Sequence, residues 1–278
     1  MASINTNLQA ITALQSLKGV QSSLQTTQSR ISTGLKVQDA RDNAAYFSLA
    51  STMKGDAGVL NAIRDNLAVV GTSVGTARQG AEAIQKSAQK IAESIAAATA
   101  DQAVDKTKFQ DAIKAEVANI KNVLDNTSFN GQNLLKSTDA VTVVTGISRE
   151  GATYATTTFT YNQQDLSAVH TALAAIDVTA AADPAALGAL LQTATAQVAA
   201  ATNAATALGS AQNTITGTQD FVGKLVDNIN AGVGAIVDAD MNQEAARLQA
   251  LQVQEQLAMQ SLSIANQAPQ SILSLFRN

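Results

Sequence analysis

Residues 60–100 read LNAIRDNLAVVGTSVGTARQGAEAIQKSAQKIAESIAAATA. Within them Leu60, Ile63, Leu67, Val70, Val74, Ala77, Ala81, Ile84, Ala88, Ile91, Ile95 and Ala98 follow one another at intervals that alternate strictly between three and four. That is the 3.5-residue repeat of a left-handed helical packing seam, and no strand or loop produces it. The pattern predicts one long helix from about residue 43 to residue 100, with Gly55, Gly58, Gly71, Gly75 and Gly80 as local weak points.

A second seam lies downstream. Leu187, Leu191, Ala194, Val198, Ala201, Ala205, Leu208, Gln212 and Ile215 continue to Val222, Leu225 and Ile229, which predicts a helix over about 184–230. Asp183 is its expected N-cap and Pro184 suits its first turn. Between Ala172 and Ala211, 18 of 40 residues are alanine, so this helix is thin enough to lie close to neighbours on more than one side. A shorter helix is expected at about 106–125 from Phe109, Ile113, Val117, Ile120 and Leu124, closed by NTSFNG at Gly131. The β-branched and aromatic runs at 141–148 and 152–161 predict a single β-hairpin resting on the helices.

Both ends carry apolar stripes with few charges. Ile4, Leu8, Ile11, Leu14, Leu17, Leu24 and Ile31 recur at helical spacing, and only Lys18 and Arg30 are charged in the first 35 residues. After Asp240 the ionisable side chains are Glu244, Arg247, Glu255 and Arg277, among Leu248, Leu251, Leu257, Leu262, Ile264, Ile272, Leu275 and Phe276. Chain ends are usually polar and loosely held, so these stripes predict a surface made for contact. The fold class that follows is mainly α: long antiparallel helices in coiled-coil packing form a rod, with one small hairpin and the terminal helices paired at one end. The domain division expected is residues 1–42 with 235–278 as an inner terminal domain and 43–234 as a helical rod domain. Gly232 and Gly234 serve as a flexible joint between them.

Composition excludes several function classes. Aromatic residues make up 3%, cysteine and tryptophan are absent, and charged residues are 14%, against roughly 25% in soluble domains. Without cysteine there is no thiol nucleophile, disulfide or thiolate metal site. A net charge of -4 predicts no affinity for nucleic acid, which needs clustered Lys and Arg. The first residues have neither a basic segment nor an unbroken apolar core, so they read as neither a cleaved signal peptide nor a membrane span, and membrane insertion is not expected. His170 is the only histidine and has no catalytic partner in sequence. Asp238 and Asp240 read better as a break with an Asp240–Gln243 capping box than as a metal site, and Asp39, Arg41 and Asp42 as a polar cluster at a helix start or an ion pair between subunits. No catalytic residue, cofactor or metal is expected.

SINTN near the start, SRISTGLKVQDARDNAA at 29–45, SFNGQNLL at 128–135 and VDADMNQEAARLQALQVQEQLAMQSLSIANQAPQSILSLF at 237–276 occur together and in this order. In these segments the chain resembles the bacterial flagellins, and with only about 50 residues between FNG and the alanine-rich helix it looks like their compact alphaproteobacterial type, without projecting outer domains. The resemblance implies a structural subunit of the flagellar filament, a homopolymer used for swimming, extracellular and not an enzyme. It also implies export through the flagellar type III apparatus with a chaperone, and contact with filament cap and hook-junction proteins. A hook-filament junction protein or a coiled-coil scaffold is the alternative. In flagellins seen by the vertebrate flagellin receptor a pattern L-Q-R-x-R-E-L-A stands on the first long helix; the aligned AQKIAESI keeps Gln89 and Glu93 but has Lys90, Ala92 and Ser94 at other key places, which implies a degenerate epitope. Flagellins are often O-glycosylated on the outward segment, which here marks Thr142, Thr145, Ser148, Thr156 and Thr158.

Overall fold

The computed structural model describes residues 7–100, 105–150, 153–181 and 183–275. Among them are six helices and one two-stranded sheet: α1 (Leu8–Thr33), α2 (Ala44–Ala100), α3 (Lys106–Asn126), β1 (Ala140–Glu150), β2 (Thr153–Asn162), α4 (Ser167–Ala174), α5 (Pro184–Val237) and α6 (Met241–Leu275). The chain divides into two compact units, Gly58–Val226 and Met1–Ala57 with Asp227–Asn278, so the division falls inside α2 and α5.

In the unit Gly58–Val226, the α2 seam is the spine of the core. From Leu67 to Ala98 each of its positions is buried except Val70, which is half-buried against the same cluster. On α5 the buried residues of this unit are Leu187, Ala194, Ala201, Leu208, Ile215 and Val222, spaced by sevens, with Ala204 and Ala211 between them and Val226 one turn beyond. The expected first set is the buried one; of the expected second set Leu191, Val198 and Ala205 are half-buried against the same cluster, while burial falls on Ala211 and Val226 rather than on Gln212 and Leu225. Alanine follows alanine at 204–205, so side-chain size could not choose the helix rotation; the partners chose it. Gln212 instead accepts a hydrogen bond from Arg78 Nε at 2.8 Å.

The segment 127–135 shows what its residues do. The carboxylate of Asp105 caps α3 through Thr107 N, and the helix ends at Asn126, within one residue of the expected 106–125. Asn130 and Gly131 are the centre of a tight reverse turn, at φ 49° and 78°, closed by two backbone bonds between Phe129 and Gln132. Asn and Gly are the residues that accept such paired positive φ values. Asn133 Nδ2 then donates to Leu124 O, an orphan carbonyl at the end of α3, while Leu134 and Leu135 plug the core. Asp125, held between Lys121 (2.6 Å) and Lys136 (2.8 Å), has its carboxyl lowered to about 2 by hydrogen bonds from those two ammonium groups.

The hairpin pairs Val141 with Tyr161 and Val143 with Phe159 on the face turned to the core, where Val143 and Tyr161 are buried. Its other face carries Thr142 opposite Thr160 and Val144 opposite Thr158, until an irregularity between Val144 and Gly146 takes up one extra residue, Thr145. The short α4 has no side-chain cap, leaving little signal in sequence. It is fixed by burial of Val169 and Leu173, with Gln110 of α3 bridging the segment that follows through Ile176 O and Val178 N.

In the other unit, α1 packs antiparallel on α6. Asn7 caps α1 through Ala10 N and also donates to Ala265 O, while Gly34, at φ 73°, ends the helix. The two connectors pair across this unit: Lys36 N and Val37 N donate to Val237 O, and Ala239 N donates to Gly34 O. Asp240 caps α6 by accepting from Asn242 N and Gln243 N, as its sequence position predicted. The glycine joint, however, is absent. Helix α5 runs past residue 230 and straight through Gly232 and Gly234 to Val237. A Cβ at Gly232 would stand 3.2 Å from Met53 Cε, and one at Gly234 2.7 Å from Asp238 Oδ2, both far ends of flexible side chains, and neither glycine bends the helix.

Gly80 is the tightest such place in the main core, where a Cβ would come within 2.6 Å of Thr127 Oγ1 and 2.9 Å of Leu135 Cδ1. Gly80→Ala is expected to destabilise the monomer by about 1–2 kcal/mol net of its better helix propensity. Gly188→Ala, in α5 with open space around it, should stabilise by roughly 0.5–1 kcal/mol. Urea unfolding of the two variants beside the natural chain checks both signs.

Candidate assembly surface

The terminal stripes are only partly covered within one chain. Thr27 of α1, and Glu244, Leu251 and Ala265 of α6, are buried. Leu17, Leu24, Ile31, Leu248 and Leu262 are half-buried. The rest stand in water: Leu8 is 75% exposed, Ile11 54%, Leu257 58% and Ile264 63%, and Leu14 is exposed as well. Ile272 and Leu275 lie in the last turns of α6, but their side chains fall outside the described ones, as do Ile4 and Phe276 altogether. Met259, one of the apolar residues of the C-terminal stretch, is exposed too, and sequence reasoning passed over two further exposed apolar residues of α6, Met241 and Val253. They sit off the main stripe, and the signal was the general apolarity of the helix rather than its periodicity.

What aligns α1 with α6 is polar. Arg30 Nη1 lies 3.1 Å from Glu244 Oε1, with side chains 26% and 7% exposed, and Gln21 Nε2 donates to Glu255 Oε1 at 3.4 Å. Glu244 Oε2 is buried without a hydrogen-bond partner among the described residues. Such a pair is weak evidence for net stability, because desolvation opposes the attraction, but it strongly disfavours any register that separates its members. In an interface of small and similar apolar residues, where neighbouring registers bury nearly the same area, that penalty selects one. Arg30 and Glu244 were visible in sequence as isolated charges in apolar faces; their pairing was not.

The remaining candidates lie in the unit Gly58–Val226. Gln89, Lys90 and Glu93 are exposed on α2, with Ala92 and Ser94 half-buried beside the seam residues Ala88, Ile91 and Ile95. Lys90 Nζ is 2.9 Å from Glu116 Oε1, and Ser94 Oγ donates to Lys90 O. Burial pulls the Glu116 carboxyl upward, but hydrogen bonds from Lys90 and Ser87 outweigh it and hold the group below its ordinary range. On the hairpin Thr142, Ser148, Thr156 and Thr158 are exposed and Thr145 is half-buried. The hydroxyl of Thr142 bonds to that of Thr160 at 3.0 Å, and that of Thr145 to Thr157 at 3.3 Å. Asp39 pairs with Arg41 at 2.7 Å, and that hydrogen bond lowers its carboxyl; Asp42 accepts from the backbone of Gln38 and Asp39, while Asn43 is the residue that caps α2. His170 is half-buried at the α3–α4 cleft, whose wall includes Lys114, Lys121 and Ile113. No helix among the described residues is long and apolar enough to cross a membrane.

The arrangement is one of exposed apolar helix faces on a pair held by the Arg30–Glu244 contact, and comparison with known proteins identifies the family in which it occurs. Residues 4–140 match the bacterial flagellin N-terminal helical region, and residues 191–276 match the bacterial flagellin C-terminal helical region. A flagellin of Brucella melitensis is 42% identical over 281 aligned positions covering all of both chains. Flagellin FljK of Caulobacter vibrioides is 35% identical over 285 positions, covering 99% of this chain and 98% of its own. Flagellin A of Rhizobium meliloti is 32% identical, and its alignment extends over 396 positions with full coverage of both, so it carries residues that this compact chain lacks. With both terminal helical regions matched and relatives aligned from end to end, the chain belongs to the bacterial flagellin family.

Proposed function

We propose that this flagellin assembles through the exposed apolar faces of α1 and α6. As a flagellin it is a structural subunit of the extracellular flagellar filament, which serves motility. The observation that carries the finer reading is the exposure of Leu8, Ile11, Leu14, Leu257 and Ile264 on a helix pair whose register is already fixed by Arg30 and Glu244. Burying an interface of standard size, roughly 1,500 Å², at about 25 cal/mol per Å² favours association by tens of kcal/mol before ordering costs are subtracted. The contact is head to tail, because a heterologous interface repeated by a screw operation gives an open filament. In this reading residues 1–42 with 235–278 form the inner coiled-coil layer of the filament. No catalytic role is assigned. The flagellar export apparatus, a chaperone, the filament cap and the hook-junction proteins are the further partners, and the chain leaves the cell through that apparatus unfolded.

Heat dissociation followed by seeded regrowth, watched by negative-stain electron microscopy, tests the interface when the full chain is compared with one ending at Val237. Long filaments are expected from the full chain alone. Filaments from both would show that α6 is dispensable and overturn the proposal, and filaments from neither would favour a junction protein or a scaffold.

The stretch Gln89, Lys90, Ala92, Glu93 and Ser94 supports a second expectation, weak or absent activation of the vertebrate flagellin receptor. Lys90 has no planar fork with which to bind bidentately and is engaged by Glu116, and Ala92 and Ser94 offer neither charge nor apolar bulk. A reporter-cell response to the monomer as strong as that to an enterobacterial flagellin would refute it. The hairpin hydroxyls are the proposed O-glycosylation sites. Ser148, Thr156 and Thr158 come first, since Thr142 and Thr145 already share hydrogen bonds across the strands. Native filaments should then give an intact mass above that of the bare chain, and equality of the two would rule modification out.

A further inference from the structure

The chain has no cysteine and no tryptophan, so its sulfur is confined to four methionines, Met1, Met53, Met241 and Met259. Met1 lies outside the described residues, and Met53 is half-buried, packed against the small core of Val37, Ala50, Val233 and Val237. The other two stand in water on α6, Met241 45% exposed and Met259 50%. They are 18 residues apart, five whole turns at about 3.6 residues per turn, so they share one line along the helix. At about 100° per residue, the buried positions Glu244 and Leu251 lie roughly 60–80° to one side of that line, and Leu257 and Ile264 roughly 140–160° to the other. The two thioethers therefore stand between the side packed on α1 and the open apolar face.

We propose that Met241 and Met259 are oxidation sites through which a peroxide switches off assembly of this chain. This rests on the reading that α1 and α6 assemble through their exposed apolar faces, and adds a chemical control on one of them. The sulfur lone pair attacks hydrogen peroxide, and an S–O bond forms as the O–O bond breaks. The proton left on the transferred oxygen passes to the departing hydroxide, which leaves as water. Sulfur gives up two electrons to the peroxide, and the product is methionine sulfoxide. No thiol in the chain competes for the reagent, and the Leu and Ile side chains of the exposed face are inert to it. A thioether is flexible and apolar and fills irregular gaps in an interface. Its sulfoxide is polar and chiral, and the new acceptor oxygen opposes burial wherever no donor meets it. Every subunit of a polymer presents both positions, so the lesion recurs at each contact that a modified chain enters.

Heat-dissociated monomer is treated with hydrogen peroxide, the peroxide is removed with catalase, and the chain is divided between peptide mass spectrometry and seeded regrowth. Met241 and Met259 are expected to gain one oxygen each at least about fivefold faster than the shielded Met53. Filament growth should fall by about tenfold once both are converted, and should return on treatment with methionine sulfoxide reductases and a dithiol. A chain carrying both Met241→Leu and Met259→Leu, which keeps similar apolar volume, should grow as the natural chain does and go on growing after peroxide. Equal oxidation of Met53, undiminished growth of the fully converted chain, or peroxide-stopped growth of the double variant would each overturn the proposal and leave the terminal interface standing. Should the double variant fail to grow untreated, the reductases decide: growth that they do not restore overturns the proposal. An untreated natural chain that grows no filaments would sink the assembly reading and this proposal with it.

Discussion

Between Leu67 and Ala98 one face of α2 is sealed from water, and the other elements of that unit are placed by what seals it. The seam is built from Leu, Ile, Val and Ala, and α5 answers with alanine at position after position, so the two helices can come close. Their contacts step in opposite directions so that the two residue numbers keep a nearly constant sum, Arg64 near Gly223, Gly71 near Ile215, Gly75 near Gln212 and Arg78 near Gly209. That constancy is what continuous packing between antiparallel helices demands. The helix α3, the plug Leu134–Leu135 and the inner face of the hairpin then close the remaining sides of the same cluster.

The unit with the termini is built on a different balance. Its small core around Val37, Ala50, Val233 and Val237 holds the ends of α2 and α5, and backbone hydrogen bonds join the two connectors. The helices α1 and α6, by contrast, bury few large side chains against each other and keep most of theirs in water. A folded domain that behaves this way would be poorly stabilised alone. In the proposed assembly the missing core would come from other copies, and folding of the ends and assembly would then be a single event, in keeping with segments that order on binding. The Arg30–Glu244 pair matters in that setting because apolar area alone does not distinguish one register from the next.

Much of the fold was legible because periodicity is a direct record of burial. The α2 seam, the existence of the hairpin, the capping of α5 by Asp183 and of α6 by Asp240 all follow from residue type and spacing, and the structure contains each of them. The resemblance carried by SFNGQNLL also has a local physical meaning that sequence alone did not disclose. It is a turn at Asn130–Gly131, a cap by Asn133 and a plug by two leucines, rather than the end of a helix. Gly232 and Gly234 misled for a related reason. Glycine permits a bend without requiring one, and here the helix runs through both positions unbroken.

The sequence by itself determined which faces are apolar, how long the helices run and where caps interrupt them, since these depend on chemistry within a turn or two of the chain. Tertiary structure decided the rotation of the alanine-rich α5, the pairing of Arg30 with Glu244, and which flanks of α2 remain open at Tyr46, Phe47 and Leu49. Those depend on which distant surface arrives first at a given face, and adjacent alanines or isolated charges carry no local record of it.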